Sequence, residues 1–139
     1  HRGALHIQSF SYVAWFFMIE KYLAKHYEWP PCWQLVADVY VNELGLCVDD
    51  YTPKTDSMRD VANAFRLALH DNKHGFTQQE SANNYDVVLL GKNKKVTHCG
   101  LYYNSGVLHS LKNMVIWQPM AQITDTYGLI EYYRHDRND

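Results

Sequence analysis

The chain is poor in cysteine and has no excess of positive charge. Its 139 residues include only three cysteines, Cys32, Cys47 and Cys99, and no two of them form a Cys-x-x-Cys pair. This odd set argues against a disulfide framework and predicts free thiols. The 13 Lys and Arg residues face 15 Asp and Glu residues, for a net charge of −2. That balance gives no indication of a nucleic-acid partner.

The chain also lacks an apolar segment long enough to span a bilayer. Its densest apolar run, residues 13–19, is too short and is followed at once by Glu20 and Lys21. We therefore expect no stable membrane span. We favour an amphipathic helix within residues 7–27 that packs on the domain, and the alternative is a membrane-binding or tail-partner surface.

The sequence shows no signal peptide of the usual layout, no internal repeat, no low-complexity tract and no linker. A length of 139 residues suits one domain with a real core, and 47 % hydrophobic residues indicates that the chain folds. We expect a single domain over residues 1–139, with residues 1–20 as a candidate N-terminal extension.

Residues 30–45 carry the pattern of a buried helix. Pro30 and Pro31 mark its start, because proline is tolerated only in the first turn of a helix. Gly45 lies where helices commonly end in a left-handed residue. The apolar positions follow helical spacing and define one buried face: Cys32, Leu35, Val36, Val39, Tyr40 and Leu44. Cys32 therefore lies at or near the helix N-terminus, where backbone N–H groups and the helix dipole favour a thiolate.

The remaining chain predicts one more long helix and then a set of strands. Ser57 is a candidate N-cap, and a buried stripe follows it: Met58, Val61, Ala62, Phe65 and Leu69. Residues 76–84 are polar and are expected to form a loop. Strands are expected at 85–90, 96–102, 107–111, 114–117 and 129–133, with a short helical turn within 119–125. Helices followed by a mostly antiparallel sheet indicate an α+β fold.

Two histidines lie on the strands of one expected hairpin. A four-residue loop that pairs Tyr102 with Val107 places Gly100 opposite His109. His98, two residues before Gly100, then lies diagonally across from His109 on the same face of the sheet, and its side chain is within reach of His109. A three-residue loop would put the two histidines on opposite faces, so the expectation depends on the loop length. Gly100 leaves room between them for a substrate or for the first predicted helix.

A cysteine at a helix N-terminus, a histidine on a strand and a second polar group behind it form the thiol-protease constellation. In this interpretation Cys32 is the nucleophile, His98 is the base, and His109 orients His98. A helix terminus usually contributes up to about 1 kcal/mol to stabilising a thiolate, and the imidazolium of His98 is expected to supply most of the remaining stabilisation. Backbone N–H groups, including that of Cys32, are expected to hold the oxyanion.

Other interpretations of the same residues stay open at this point. Cys32 on an apolar helix face is compatible with a small buried hydrophobe, and both histidines with ordinary strand residues. The histidines together with Cys32 or Cys99 could also ligate zinc, although their spacing matches no standard zinc motif. Cys47 and Cys99 are expected to be structural. We expect no cofactor and no metal.

The residues around the three candidate positions resemble a known family. The motifs are Cys-Trp-x-Leu-Val from Cys32, His-x-Gly-Leu-Tyr from His98 and Leu-His-Ser around His109. Together they are similar to the NlpC-type cell-wall peptidases, which are papain-like cysteine endopeptidases that cut peptidoglycan stem peptides. Residues 115–119 and 130–134 are similar to the phage-tail branch of that family, and the resemblance covers roughly residues 22–134.

The resemblance implies a papain-like α+β domain with Cys32, His98 and His109 as its catalytic residues and with N-terminal helices packed on the sheet. It implies a peptidoglycan endopeptidase that is borne in a virion tail beside other tail-tip proteins and acts at the bacterial cell wall or in the periplasm. Pro31 and Gln34 stand where the family usually has an acidic or amide residue and a glycine. A catalytically inactive structural tail-tip subunit with the same fold is therefore one alternative, and a thiol acyltransferase or amidase is another.

Overall fold

The computed structural model describes residues 16–27, 31–49, 57–70, 74–111 and 113–137. The described helices are α1 over residues 16–23, α2 at Pro31–Val39 with a π-helical turn at Tyr40–Leu44, α3 at Met58–His70 and α4 at Met120–Thr126. The strands are β1 at Phe76–Gln79, β2 at Val87–Lys92, β3 at Lys95–Tyr102, β4 at Gly106–Ser110, β5 at Val115–Pro119 and β6 at Leu129–His135. They form one sheet in the order β1-β6-β2-β3-β4-β5, and every neighbouring pair is antiparallel. This architecture confirms the α+β expectation.

The helix that carries Cys32 forms as its sequence predicts, and Cys32 is the second residue of α2. Its buried face comprises Cys32, Trp33, Leu35, Val36, Val39 and Tyr40. Gly45 ends the segment in the left-handed region at φ 65°, and its N–H donates to the carbonyl oxygen of Tyr40. The apolar spacing does not predict the π-helical last turn. That turn carries Tyr40, which is fully buried and whose hydroxyl donates to the carbonyl oxygen of Tyr85 at 2.6 Å.

The described part of the first expected helix packs on the domain. Met18, Ile19 and Tyr22 of α1 are buried in the main core, so this part packs on the domain as expected. Its other face is not purely polar, because Phe16, Phe17 and Leu23 are exposed. Residues 7–15 lie outside the described residues. Among the helices that are described, none combines the length and the apolar character needed to cross a membrane.

The start of α3 also follows its sequence. The N–H of Asp60 donates to the hydroxyl oxygen of Ser57 at 3.3 Å, as an N-cap requires. In the predicted stripe, the side chains of Met58 and Ala62 lie outside the description, and the other members are buried: Val61, Phe65 and Leu69.

Some expected boundaries are wrong. Residues 76–79 form a strand rather than a loop, because Phe76 is fully buried, its ring lies 5.0 Å from that of His135, and β1 pairs with β6. β2 begins at Val87 rather than at residue 85, because Tyr85 has a φ of 73°, which a strand does not allow. α4 has seven residues, about two turns instead of one. The other strand boundaries differ from those expected by one or two residues.

The β3–β4 hairpin sets the position of the two histidines. Tyr102 pairs with Val107, as expected. Tyr103 and Gly106 also exchange backbone hydrogen bonds, so the loop has two residues instead of the expected four, and its even number is kept. Asn104 and Ser105 form the tip, with φ of 51° and 61°, which is the left-handed geometry of a two-residue hairpin turn. α2 packs against both β3 and β4. Its first turn therefore meets the strands that carry the histidines.

A buried ion pair fixes β6 beside the start of β2. The Asp86 carboxylate has no exposed surface and accepts from Arg134 at both oxygens, at 3.0 and 2.9 Å. The N–H of Asn83 also donates to this carboxylate at 2.8 Å. A buried charge needs such partners to offset its desolvation. The pair therefore determines how the loop before β2 packs against the centre of the sheet.

Candidate active site

Cys32 meets His98 where the first turn of α2 approaches β3. The side chain of His98 lies close enough to the Cys32 thiol to lower the pKa of that thiol, through a hydrogen bond and through its charge. Cys32 is the second residue of the helix, after Pro31, which has no N–H, so the N–H groups of Cys32 and of the next two residues have no intrahelical acceptor. The site thus combines a thiol, an imidazole and backbone donors at one helix end.

His98 in turn contacts His109 on the neighbouring strand. The Nε2 atom of His98 lies 2.8 Å from the Nδ1 atom of His109. Their rings meet edge to face, with centroids 4.9 Å apart. The two imidazoles therefore share a face of the sheet, which confirms the geometric prediction made from the even-numbered loop.

The contacts continue to a residue that the sequence interpretation did not select. The Nε2 atom of His109 lies 2.8 Å from the Oε1 atom of Gln118 on β5. β4 and β5 pair Val107 with Gln118, so Gln118 lies diagonally across from His109 on the same face. The missed signal was the register of this second hairpin.

The electrostatic environment favours the thiolate of Cys32. Its pKa is lowered to about 5, first by a hydrogen bond from the Cys99 thiol and then by the hydrogen bond and charge of His98, while burial acts in the opposite direction. Burial raises the pKa of Cys99 well above its usual value, so Cys99 keeps its proton and remains a donor. Cys99 is buried in the main core, as expected of a structural residue, and it also acts on the Cys32 thiol, which the sequence did not predict. Its hydrogen bond lowers the Cys32 pKa more than His98 does.

His109 lies in an environment that keeps it neutral. Burial lowers its pKa to about 4, and the charge of His98 acts in the same direction. The hydrogen bond to Gln118 opposes this shift. A neutral imidazole has one donor nitrogen and one acceptor nitrogen. His109 can therefore hold the ring of His98 in its orientation through a hydrogen bond, and it does not compete with His98 for the proton of Cys32.

The site is enclosed. Cys32 has no exposed surface, and His98 is 8 % exposed. Cys47, in contrast, is exposed.

The zinc interpretation finds no ligand set in the described part of the chain. No three His, Cys, Asp or Glu side chains there are arranged to hold a metal ion.

Comparisons with protein-family models, with curated proteins and with solved structures each give no match to this chain. The resemblance to NlpC-type peptidases stays a prediction from the motifs. The chemistry of Cys32, His98 and His109 therefore has to be inferred from their geometry.

Proposed function

We propose that this chain is a cysteine peptidase in which Cys32 is the nucleophile and His98 is the general base. The observation that carries the proposal is the continuous series of contacts from Cys32 through His98 to His109. A thiol at a helix N-terminus beside a histidine is the arrangement that produces a reactive cysteine.

In the first half-reaction, the Cys32 thiolate attacks the carbonyl carbon of the scissile amide, and the carbonyl electrons move to oxygen. The N–H of Cys32 lies at the first turn of α2 and is available to hold this oxyanion. Protonated His98 then gives its proton to the leaving nitrogen as the C–N bond breaks. The products are a free amine, a thioester on Cys32 and neutral His98.

In the second half-reaction, neutral His98 takes a proton from water as the water oxygen attacks the thioester carbonyl. The C–S bond then breaks and the acid product leaves. This step restores the Cys32 thiolate and the protonated His98. His109 holds the His98 ring through the 2.8 Å contact during both half-reactions.

The proposed substrate is the stem peptide of peptidoglycan. The support is the set of motifs around Cys32, His98 and His109 that resembles NlpC-type endopeptidases. The similarity of residues 115–119 and 130–134 to the phage-tail branch supports a place in a virion tail, with other tail-tip proteins as partners and the bacterial wall or periplasm as the site of action.

The test is the release of stem-peptide fragments from purified peptidoglycans of several wall types, measured by mass spectrometry. We expect the wild-type chain to release fragments with new amino termini, and Cys32→Ala to release none while keeping its circular dichroism spectrum. Cys47→Ala is the matched control, because Cys47 is an exposed thiol, and it should retain activity. Fragment release by Cys32→Ala would contradict the proposal.

The burial of Cys32 favours one second candidate, a non-enzymatic tail-tip subunit that keeps the fold. A sulfur with no exposed surface can serve as a packed core atom. This candidate predicts no fragments from any wall and a Cys32→Ala variant that differs from the wild type only in stability.

A further inference from the structure

We propose that Gln118 is a positioning residue that fixes which ring nitrogen of His109 carries the proton and, through His109, which nitrogen of His98 faces Cys32 as a base. The inference deepens the proposed function and rests on it, because it presumes that His98 exchanges a proton with Cys32. Gln118 itself touches neither the thiol nor His98 in this scheme.

The proton positions follow from the contacts. The Oε1 atom of Gln118 is an amide oxygen and can only accept, so His109 must donate to it from Nε2 across 2.8 Å. His109 is neutral near pH 7, since its pKa is lowered to about 4 by burial and by the charge of His98. Its Nδ1 atom therefore has a lone pair and accepts from the Nε2–H of His98 at 2.8 Å. Nδ1 is then the nitrogen of His98 left to exchange a proton with Cys32.

The opposite proton position on His109 would disable this arrangement. If the proton of His109 were on Nδ1, this N–H would point at the Nε2 atom of His98. Protonated His98 also carries a hydrogen on Nε2, so the two hydrogens would face each other. Neutral His98 would instead accept at Nε2 and hold its own proton on Nδ1, on the side of Cys32. In that form it cannot take the thiol proton.

The fold holds the Gln118 amide in the required orientation. Pairing of Val107 with Gln118 places this side chain on the same face as His109. Its Nε2 atom donates to the Oε1 atom of Gln122 on α4 at 3.3 Å. The amide nitrogen thus points to α4, and the amide oxygen points to His109.

The experiment compares Gln118→Leu, which removes the acceptor, with Gln118→Glu, which keeps an acceptor of the same length. Gln78→Leu is the matched control, because Gln78 is exposed on β1 at the opposite edge of the sheet. Long-range ¹H–¹⁵N spectra report which ring nitrogen of His109 is protonated. Alkylation of Cys32 from pH 4 to 9 reports the thiolate.

We expect the wild type and Gln118→Glu to keep the proton of His109 on Nε2, and Gln118→Leu to lose this preference. The Cys32 alkylation rate at pH 6 should fall roughly tenfold in Gln118→Leu, which corresponds to about 1.4 kcal/mol and to the size of one hydrogen bond. Gln118→Glu should restore most of the rate, and Gln78→Leu should match the wild type.

The results separate this inference from the proposed function. A Gln118→Leu variant with an unchanged His109 proton and an unchanged pH profile overturns the inference, even if peptidoglycan is cleaved. A loss of the His109 preference and a tenfold slower alkylation support it, even if no wall is cleaved and the peptidase proposal fails.

Discussion

Gly100 makes room for His109. A Cβ atom placed on Gly100 would lie 2.9 Å from the Cβ atom of His109 and 2.9 Å from the carbonyl oxygen of Leu108. Both distances are shorter than real Cβ contacts, and the second involves backbone that cannot rotate away. The approach of β4 to β3 beside the two histidines therefore depends on the missing side chain.

The Gly100→Ala variant tests this dependence. We expect a loss of about 1–3 kcal/mol in the free energy of unfolding, as for other overpacked sites. We also expect slower alkylation of Cys32, because β4 must shift and lengthen the His98–His109 contact. Urea unfolding and alkylation at pH 6 measure the two effects. Gly128→Ala is the control, since a Cβ there meets no atom within 4 Å. Equal changes in the free energy of unfolding and in the Cys32 alkylation rate for the two variants would contradict the dependence on Gly100.

Cys99 should tune the nucleophile by donating a hydrogen bond. Cys99→Ala removes the largest cause of the lowered Cys32 pKa, so that pKa should rise from about 5 toward the ordinary value of a thiol. Cys99→Ser keeps a hydroxyl donor and should restore most of the shift. The pH dependence of Cys32 alkylation measures both. If Cys99→Ala and Cys99→Ser give the same pH profile of Cys32 alkylation, Cys99 acts on Cys32 through packing and not through a hydrogen bond.

The ion pair between Asp86 and Arg134 should stabilise the sheet. Arg134→Met leaves a fully buried carboxylate without its charged partner, and we expect a loss of about 3–5 kcal/mol. Arg66→Met is the matched control: Arg66 pairs with Glu131 at 2.9 Å but is 42 % exposed, so its loss should cost less than about 1 kcal/mol. Urea unfolding at pH 7 distinguishes the two. Similar losses in both variants would refute the distinction.

His109 should make the fold sensitive to acid. Its pKa falls from 6.5 to about 4 on folding, so between these values the unfolded chain binds more protons than the folded chain. The free energy of unfolding should therefore decrease as the pH falls through this window, by about 3 kcal/mol from this residue at about 1.4 kcal/mol per unit.

Urea unfolding at pH 7, 5.5 and 4 measures this sensitivity. His109→Asn should show a smaller decrease than the wild type, and His70→Asn, at the exposed end of α3, should show the same decrease. A wild-type decrease that survives in His109→Asn would assign the acid sensitivity to other groups.

Local sequence signals predict the parts of the site that are set by neighbouring residues. The two prolines, the apolar spacing and Gly45 locate α2, because each acts within a few residues. The parity of the loop places His98 and His109 on one face, because the strands that it joins are adjacent in sequence.

The missed features depend on contacts between distant segments. β1 exists because Phe76 packs near His135 at the far end of the chain. Cys99 alternates with His98 along β3, so strand periodicity assigns it to the main core, and only the approach of α2 brings Cys32 to both residues. Gln118 joins the site through the register of β4 with β5.

The reactivity of Cys32 against pH tests the central claim, the pairing of Cys32 with His98, most directly. Iodoacetamide alkylation followed by mass spectrometry compares Cys32 with Cys47, the exposed thiol of the same chain. We predict that Cys32 reacts faster than Cys47 at pH 6, with a reactivity midpoint near its pKa of about 5, and that His98→Ala raises this midpoint and slows the reaction. Slower reaction of Cys32 than of Cys47 at pH 6, with no effect of His98→Ala, would contradict the account.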